Sequence, residues 1–173
     1  SQGMLSELEE LLDEISADHF ARALAFISSK KDNFIVGADI RDFDKMTEPG
    51  QTAEIITRFH SLFNRIANLH YPVIAAINGP CLGGGLDFAL ACHFRMATDW
   101  EKTVLGLPET KLGLFPAAGG TQRLTRLAGV RRALPLMIKG KILSARQAKS
   151  LGIVDMVVFP SDLAGSVKRA IPY

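Results

Sequence analysis

Hydrophobic residues recur at helical spacing in two long stretches of the chain. The first stretch runs from Met4 to Ile15 with acidic residues between the apolar ones, and the second runs from Ile55 to Leu69. A spacing of three or four residues places such side chains on one face of a helix. Both stretches therefore predict amphipathic α-helices, and Pro72 is expected to stop the second one.

Short apolar runs between the helical stretches have the length of buried strands. They are Ala23–Ile27, Val73–Ile77, Phe94–Ala97 and Ile153–Val158. Such runs, bounded by Gly, Pro and polar turn residues, are typical of strands.

Further helices are predicted between and after these strands. One runs from the glycines at 83–85 through Leu90, and a second follows Gly119-Gly120-Thr121 and carries Leu124 and Leu127. The others lie near Ala133–Ile138, after an N-cap at Ser144, and over Ser161–Ala170. Strands that alternate with helices predict an α/β layered domain.

The composition fits one globular domain over residues 1–173. The chain has 47% hydrophobic and 22% charged residues and a formal net charge of +2, which is too weak to imply nucleic-acid binding. Its apolar runs are far shorter than the ~20 residues of a membrane helix, and no secretory signal is visible. Cys81 and Cys92 lack metal-ligand spacing with the histidines, so we expect buried reduced thiols, no metal site and a cytoplasmic location.

Three glycine-centred segments carry the candidate chemistry. They are Phe34–Asp39 just after a strand, Asn78–Asp87 between a strand end and a helix start, and Leu107–Leu124 with its internal Gly119-Gly120 pair. No Gly-x-Ser-x-Gly elbow, Walker loop or Gly-x-Gly-x-x-Gly fingerprint occurs. These absences disfavour a serine hydrolase, a P-loop NTPase and a dinucleotide-binding dehydrogenase.

The second segment predicts an anion-binding site. Its Gly83-Gly84-Gly85 run removes every side chain, so a ligand can approach the backbone closely. The first N–H groups of a helix that starts there lack intrahelical partners and carry the positive end of the helix dipole. Such groups can stabilise the transient charge on a thioester oxygen. Asp87 in the first turn and Glu109 after a proline supply two carboxylates, although a plain flexible turn with a capping Asp87 is the alternative.

These segments, in this order and spacing, resemble the enoyl-CoA hydratase/isomerase (crotonase) superfamily. Within it, Asn33–Ile40, Ala75–Cys92 and Val104–Leu127 look like the hydratase domain of multifunctional fatty-acid-oxidation alpha subunits. The resemblance covers about Leu5 to Val158 and implies a crotonase-like α/β fold of repeated β-β-α units. It also implies that this domain is partial, with strands expected before the chain and helices after it, and that an edge of the sheet is exposed. A dehydrogenase activity would need another domain.

The resemblance also implies roles for particular residues. The backbone N–H groups of Val36 and Gly84 would form an oxyanion hole, and Asp87 and Glu109 would be the catalytic carboxylates. The residues that would contact the acyl-CoA are Val36, Gly37, Ala38, Asp39, Gly83, Gly84 and Pro108.

Asp87 departs from the family pattern, because hydratases of the family carry glutamate at this position. Aspartate is shorter by one methylene, and a misplacement of about 1 Å can cost ~10²-fold in rate. Either the backbone compensates, the rate falls, or the chemistry differs.

The function implied is reversible hydration of trans-2-enoyl-CoA to 3-hydroxyacyl-CoA in fatty-acid β-oxidation, with acyl-CoA as substrate and no metal or further cofactor. Two alternatives remain: a Δ3,Δ2-enoyl-CoA isomerase, and a non-catalytic acyl-CoA-binding or assembly module. The expected partners are further copies of the chain or the other subunits of a fatty-acid oxidation complex.

Other polar residues receive structural predictions. His19, His60, His70 and His93 fall outside the three segments, and Arg123 is expected to anchor its helix or a neighbouring one.

Overall fold

A parallel four-stranded sheet runs through the protein in a computed structural model that describes residues 2–18, 20–37 and 49–171. Its strands lie in the order β1 (Leu24–Ile27), β2 (Val73–Ile77), β4 (Phe94–Thr98) and β7 (Met156–Val158). Neighbouring strands pair in register, with Ala75 opposite Phe26 in β1 and Arg95 in β4. Parallel pairing requires crossovers between successive strands, and helices supply them.

A second, three-stranded sheet follows the order β3 (Cys81–Leu82), β5 (Val104–Gly106) and β6 (Ile142–Ser144). β3 and β5 are parallel, whereas β5 and β6 are antiparallel. The sequence patterns did not predict these strands, since runs of two or three residues are too short for alternation to register.

The helices cover the two sheets and include every helix predicted from the sequence. The α-helices of the described residues are α1 (Gln2–Ala17), α2 (Pro49–Ala67), α3 (Gly84–Ala91), α4 (Gly120–Ala128), α5 (Val130–Ile138), α6 (Ala145–Ser150) and α7 (Leu163–Ala170). Two 3₁₀ turns cover Glu109–Leu112 and Pro160–Asp162. Ser144 caps α6 as predicted, in a capping box with Gln147.

The central strand β2 separates two clusters of the hydrophobic core. All five of its residues are buried. Val73, Ala75 and Ile77 pack in the larger cluster with α1, α2 and α3, whereas Ile74 and Ala76 pack against α7. Alternate residues of a strand point to opposite faces of the sheet, so a continuous apolar run is required here.

Two predictions about the sheet need correction. β1 was predicted to be buried, but its residues are only partly covered, and Ile27 is 52% exposed. The cause is its position, since β1 is an edge of the sheet that the described residues form. The last strand begins at Met156 rather than Ile153. The predicted end of α2 also needs correction, because the helix ends at Ala67, well before Pro72.

The described residues contain no helix long and apolar enough to cross a membrane. The same residues contain no group of three or more His, Cys, Asp or Glu side chains placed to hold a metal ion.

The start of α3 packs directly against the loop that follows β1. Ile35 forms an isolated parallel bridge with Cys81, and its carbonyl accepts a 2.9 Å hydrogen bond from the Leu82 N–H. A Cβ on Gly85 would lie 2.0 Å from the same Ile35 oxygen, whereas a Cβ on Gly84 would find its nearest atom, the Gly37 Cα, at 3.9 Å. Gly85 is therefore required by packing, and Gly84 is not.

We expect Gly85→Ala to lower the free energy of unfolding by about 2 kcal/mol or more, because the backbone must move to relieve the clash. Gly84→Ala is the matched control and should change it by less than about 0.5 kcal/mol. Urea unfolding of both variants provides the measurement, and equal stabilities would contradict the packing described here.

Candidate active site

The predicted oxyanion-hole segments lie side by side. A Cβ on Gly37, whose φ is +88°, would lie 3.7 Å from the Gly84 nitrogen and 3.4 Å from the Leu82 oxygen. Val36, the residue before it, is 54% exposed. The hydrogen bonds at Ile35 hold this loop beside the start of α3, so Gly37, the residue after Val36, lies close to Gly84.

The start of α3 offers unpaired amide groups. Gly83 precedes the helix with φ 55° and ψ −127°, a conformation that favours glycine, and no side chain caps the helix. The Gly83 carbonyl accepts hydrogen bonds from the Leu86 and Asp87 N–H groups. Within the described residues, the N–H groups of Gly84 and Gly85 have no acceptor, as expected for the first turn of a helix.

Asp87, in the first turn of α3, is a buried carboxylate that lacks a full set of partners. Its side chain is 2% exposed, and its Oδ1 is buried without a hydrogen-bond partner in the described part of the protein. Oδ1 lies 2.0 Å from the position that a Cβ on Gly120 would occupy. Gly120, the first residue of α4, therefore leaves the space in which the carboxylate lies.

Burial raises the pKa of Asp87 to about 7, and the charge of Glu109 adds to this effect. The Gly120 and Ala118 N–H groups and the Arg123 guanidinium act in the opposite direction. Oδ1 itself has no hydrogen-bond partner in the described part of the protein. A carboxyl group of this kind can exchange a proton near neutral pH.

Glu109 is the second carboxylate, and it opens the 3₁₀ turn after β5, with Pro108 as the preceding residue. A Cβ on Gly83 would lie 3.2 Å from Glu109 Oε1, so the carboxylate sits against the glycine run. Its Oε2 is buried and unpaired among the described residues. Burial raises the pKa of Glu109, and its own backbone N–H opposes the increase.

The structure thus brings most of the predicted site residues together. Both carboxylates contact the glycine segments, and Pro108 starts the turn that carries Glu109. Ala38 and Asp39, predicted to contact the acyl-CoA, lie outside the described residues, as does His19.

Sequence reasoning missed the contribution of Gly120 and Ala118 to the surroundings of Asp87. The Gly119-Gly120 pair was visible in the third segment, but its contact with a residue 33 positions earlier in the chain was not. Arg123 does anchor its helix, through a 2.7 Å hydrogen bond to Asn64 Oδ1 on α2.

Cysteine and histidine side chains near the site are engaged in packing and backbone contacts. Cys81 and Cys92 are free and buried, and burial raises the pKa of Cys92 to about 12. His93 Nδ1 accepts a hydrogen bond from the Val73 N–H, and its Nε2 lies 3.1 Å from the Ala67 carbonyl. Thus His93 joins α2, β2 and β4.

Comparison with known proteins gives the same picture. Residues 1–170 match the model of the family described as enoyl-CoA hydratase/isomerase. The chain is 51% identical over 152 residues to the fatty acid oxidation complex subunit alpha of Shewanella loihica, which covers 88% of this chain and 22% of the relative. The corresponding Vibrio parahaemolyticus subunit is 44% identical over 165 residues, covering 95% of this chain and 24% of the relative.

Solved structures agree in fold. An enoyl-CoA hydratase from Bacillus anthracis superposes with a TM-score of 0.91 at 37% identity, covering 98% of this chain and 64% of that protein. An enoyl-CoA hydratase from Mycobacterium smegmatis gives a TM-score of 0.92 at 25% identity. The fold is therefore the crotonase fold, and the chain spans about a fifth of the length of the curated relatives named above.

The raised pKa of Asp87 predicts that its charge costs stability. A carboxyl whose pKa is higher in the folded state than in the unfolded state stabilises the fold at low pH, and this stability is lost as the pH rises through the folded value of about 7. Asp87→Asn should therefore raise the free energy of unfolding at pH 8, and the gain should vanish near pH 4. The rise of the Asp87 pKa from 3.8 to about 7 limits this gain in the free energy of unfolding to roughly 4 kcal/mol.

Asp99→Asn is the matched control, because the hydrogen bond from Arg146 lowers the pKa of Asp99. This half-buried aspartate should show the opposite sign, with a small loss at pH 8. Thermal unfolding at both pH values decides the matter, and a gain for Asp87→Asn of equal size at pH 4 and pH 8 would show that its charge is not the cause.

Proposed function

Since the chain belongs to the enoyl-CoA hydratase/isomerase family, we propose that it hydrates trans-2-enoyl-CoA thioesters to 3-hydroxyacyl-CoA. The reaction adds the oxygen of water to the β-carbon and a proton to the α-carbon, and it is reversible. The observation that carries the proposal is the pair of Asp87 and Glu109, each with a buried oxygen that lacks a partner among the described residues. They lie beside a helix start with free amide groups.

The backbone N–H groups of Val36 and Gly84 are proposed to hold the thioester oxygen. As water bonds to the β-carbon, the π electrons of the double bond shift to the α-carbon and the carbonyl group, and negative charge develops on this oxygen. Fixed donors that await the charge stabilise it without reorganisation, commonly the largest electrostatic contribution to such reactions. The N-terminal end of α3 adds its dipole in the same sense.

Asp87 and Glu109 are proposed to hold the attacking water between them and to move its protons. A base removes one proton as the oxygen bonds to the β-carbon, and an acid supplies the proton that the α-carbon receives. Burial and the charge of Glu109 raise the pKa of Asp87, so the protonation states of the two carboxyl groups are linked. The pair therefore titrates as a unit, and its macroscopic pKa values belong to both residues.

The surrounding loops are proposed to bind the rest of the substrate. Gly37, Ala38, Asp39, Gly83 and Pro108 would contact the acyl-CoA beside the oxyanion hole. Hydration changes no oxidation state of the pair of carbons taken together, so charge stabilisation and proton transfer are sufficient chemistry. Acyl-CoA accordingly enters as substrate, and we propose no further cofactor.

The relatives named as alpha subunits of a fatty acid oxidation complex support a role in fatty-acid β-oxidation. We propose that this chain likewise acts within such an assembly or as a homo-oligomer. A cytoplasmic location is supported by the two free, buried cysteines.

The decisive assay follows the loss of enoyl-thioester absorbance with crotonyl-CoA and decenoyl-CoA. Glu109→Gln in the protein that carries this chain should reduce hydration by ~10²–10⁴-fold, the usual contribution of a general acid–base group, while calorimetric binding of the thioester survives. Glu101→Gln, at an exposed glutamate away from the glycine segments, is the control and should keep the rate. A loss of less than about threefold in Glu109→Gln would remove Glu109 from the chemistry.

Two substitutions at Asp87 separate catalysis from helix capping. Asp87→Asn keeps size and removes charge, so a catalytic carboxylate predicts loss of nearly all hydration, about 10²-fold or more. Asp87→Glu restores the family's reach and should keep or raise the rate. Hydration within threefold of the parent in Asp87→Asn would contradict the two-carboxylate mechanism. Conversion of a 3-enoyl-CoA by that variant would then favour the isomerase, which needs one carboxylate.

A further inference from the structure

The guanidinium of Arg123 folds back over the start of its own helix, α4. Its Nη1 donates a 3.1 Å hydrogen bond to the Ala118 carbonyl, and its Nη2 donates a 2.7 Å hydrogen bond to Asn64 Oδ1 on α2. A Cβ on Gly119 would lie 2.1 Å from Nη1. The absence of a side chain at Gly119 is therefore what lets the guanidinium lie there.

The adjacent glycine plays the same part for Asp87. Gly120 leaves room for the Asp87 carboxylate, as Gly119 leaves room for the Arg123 guanidinium. The Gly119-Gly120 pair thus brings a positive and a negative group against neighbouring residues of one backbone turn. Within the described residues Arg123 forms no direct ion pair, so no carboxylate contact neutralises its charge.

We propose that Arg123 is a positioning residue whose clamped positive charge favours the ionised form of Asp87 in the hydration reaction. The inference rests on the proposed function for its catalytic meaning. Two of the five Arg123 N–H donors are held by Ala118 and Asn64, and we place its action outside the reacting atoms. It acts through the field at Asp87, and the clamp fixes the distance at which the field acts.

The charges that face Asp87 from other elements support this role. Glu109 raises the pKa of Asp87, whereas Arg123 and the Gly120 and Ala118 N–H groups lower it. Burial lowers the pKa of Arg123, and the charge of Asp87 opposes this effect. Cys81 on β3 faces the same carboxylate as a neutral thiol, because burial raises its pKa well above the usual range. Arg123 is thus the cationic side chain among the described groups that act on Asp87.

A structural anchor would look similar in coordinates, so the test must read the charge state of Asp87 directly. We suggest titrating the carboxyl carbon of Asp87 by ¹³C NMR, with the resonance assigned from its absence in Asp87→Asn. In Arg123→Gln the midpoint should rise by on the order of one pH unit, the low end for a guanidinium close to a carboxylate. Arg123→Lys, which retains the charge, should recover part of the difference.

Arg126→Gln is the matched control, because it removes the same charge from the same helix at an exposed position. Its effect on the Asp87 midpoint should be several-fold smaller, since solvent screens exposed charges. Asn64→Ala keeps Arg123 but removes one side of its clamp, and it should raise the midpoint less than Arg123→Gln. Asn64→Ala also decides the question if Arg123→Gln does not fold.

The catalytic readout is the pH profile of kcat/KM for enoyl-CoA hydration. Arg123→Gln should move the acid limb to higher pH, so that its rate deficit is largest below the parent midpoint and shrinks above it. An unchanged Asp87 midpoint in both Arg123→Gln and Asn64→Ala would overturn the inference, even if stability falls. Absence of hydration in the parent would instead reject the proposed function, and the NMR titration would still decide the role of Arg123.

Discussion

The approach of the Gly84–Ala91 helix to the Ile35 carbonyl is the contact on which the candidate site depends. Gly85 permits it, because any side chain there would begin 2.0 Å from that oxygen. The same contact sets the Gly37 loop against Gly84 and fixes the direction of α3. Since Asp87 lies one turn into the helix, its carboxylate is placed by the backbone contact at Gly85. The Glu109 carboxylate lies in the same region, next to Gly83.

Around this contact, glycine residues leave space for neighbouring side chains, and the Asp87 carboxylate is buried away from water. Gly120 leaves room for the Asp87 carboxylate, and Leu107 closes the apolar side of the same position. The result is a carboxyl group that gives up hydration without gaining a hydrogen bond at Oδ1. Burying such a group costs free energy, and such costs concentrate at functional sites, where local rules for stability are broken.

The sequence was informative where the physics is local. Helical periodicity predicted α1 and α2, because one face of each helix is buried. The fully apolar run predicted β2, because both faces of that strand are buried. Glycine clusters and the two carboxylates predicted the site by residue type and spacing. The exposure of Ile27 and the short strands of the second sheet were not predictable, since they follow from neighbours far away in the chain.

The contacts around Asp87 show the same limit. Gly120 and Arg123 were visible as members of a segment, but the sequence does not reveal that one makes space for Asp87 and the other lies beside it. Both contacts cross 33 or more positions of the chain and arise only when α4 starts against α3. Here tertiary packing, rather than local propensity, decides which residues share a site.

The two carboxylates differ in a way that gives meaning to aspartate at position 87. Asp87 is 2% exposed, whereas Glu109 keeps partial access to solvent at the glycine run. The Asp87 carboxylate lies at the start of α4, where the Gly120 and Ala118 amides favour its charged form. The shorter aspartate keeps its carboxylate under the field of that helix end and of Arg123, at the cost of reach. In the proposed reaction, the water between the carboxylates must span this difference, and the contact at Gly85 fixes where the Asp87 carboxylate lies.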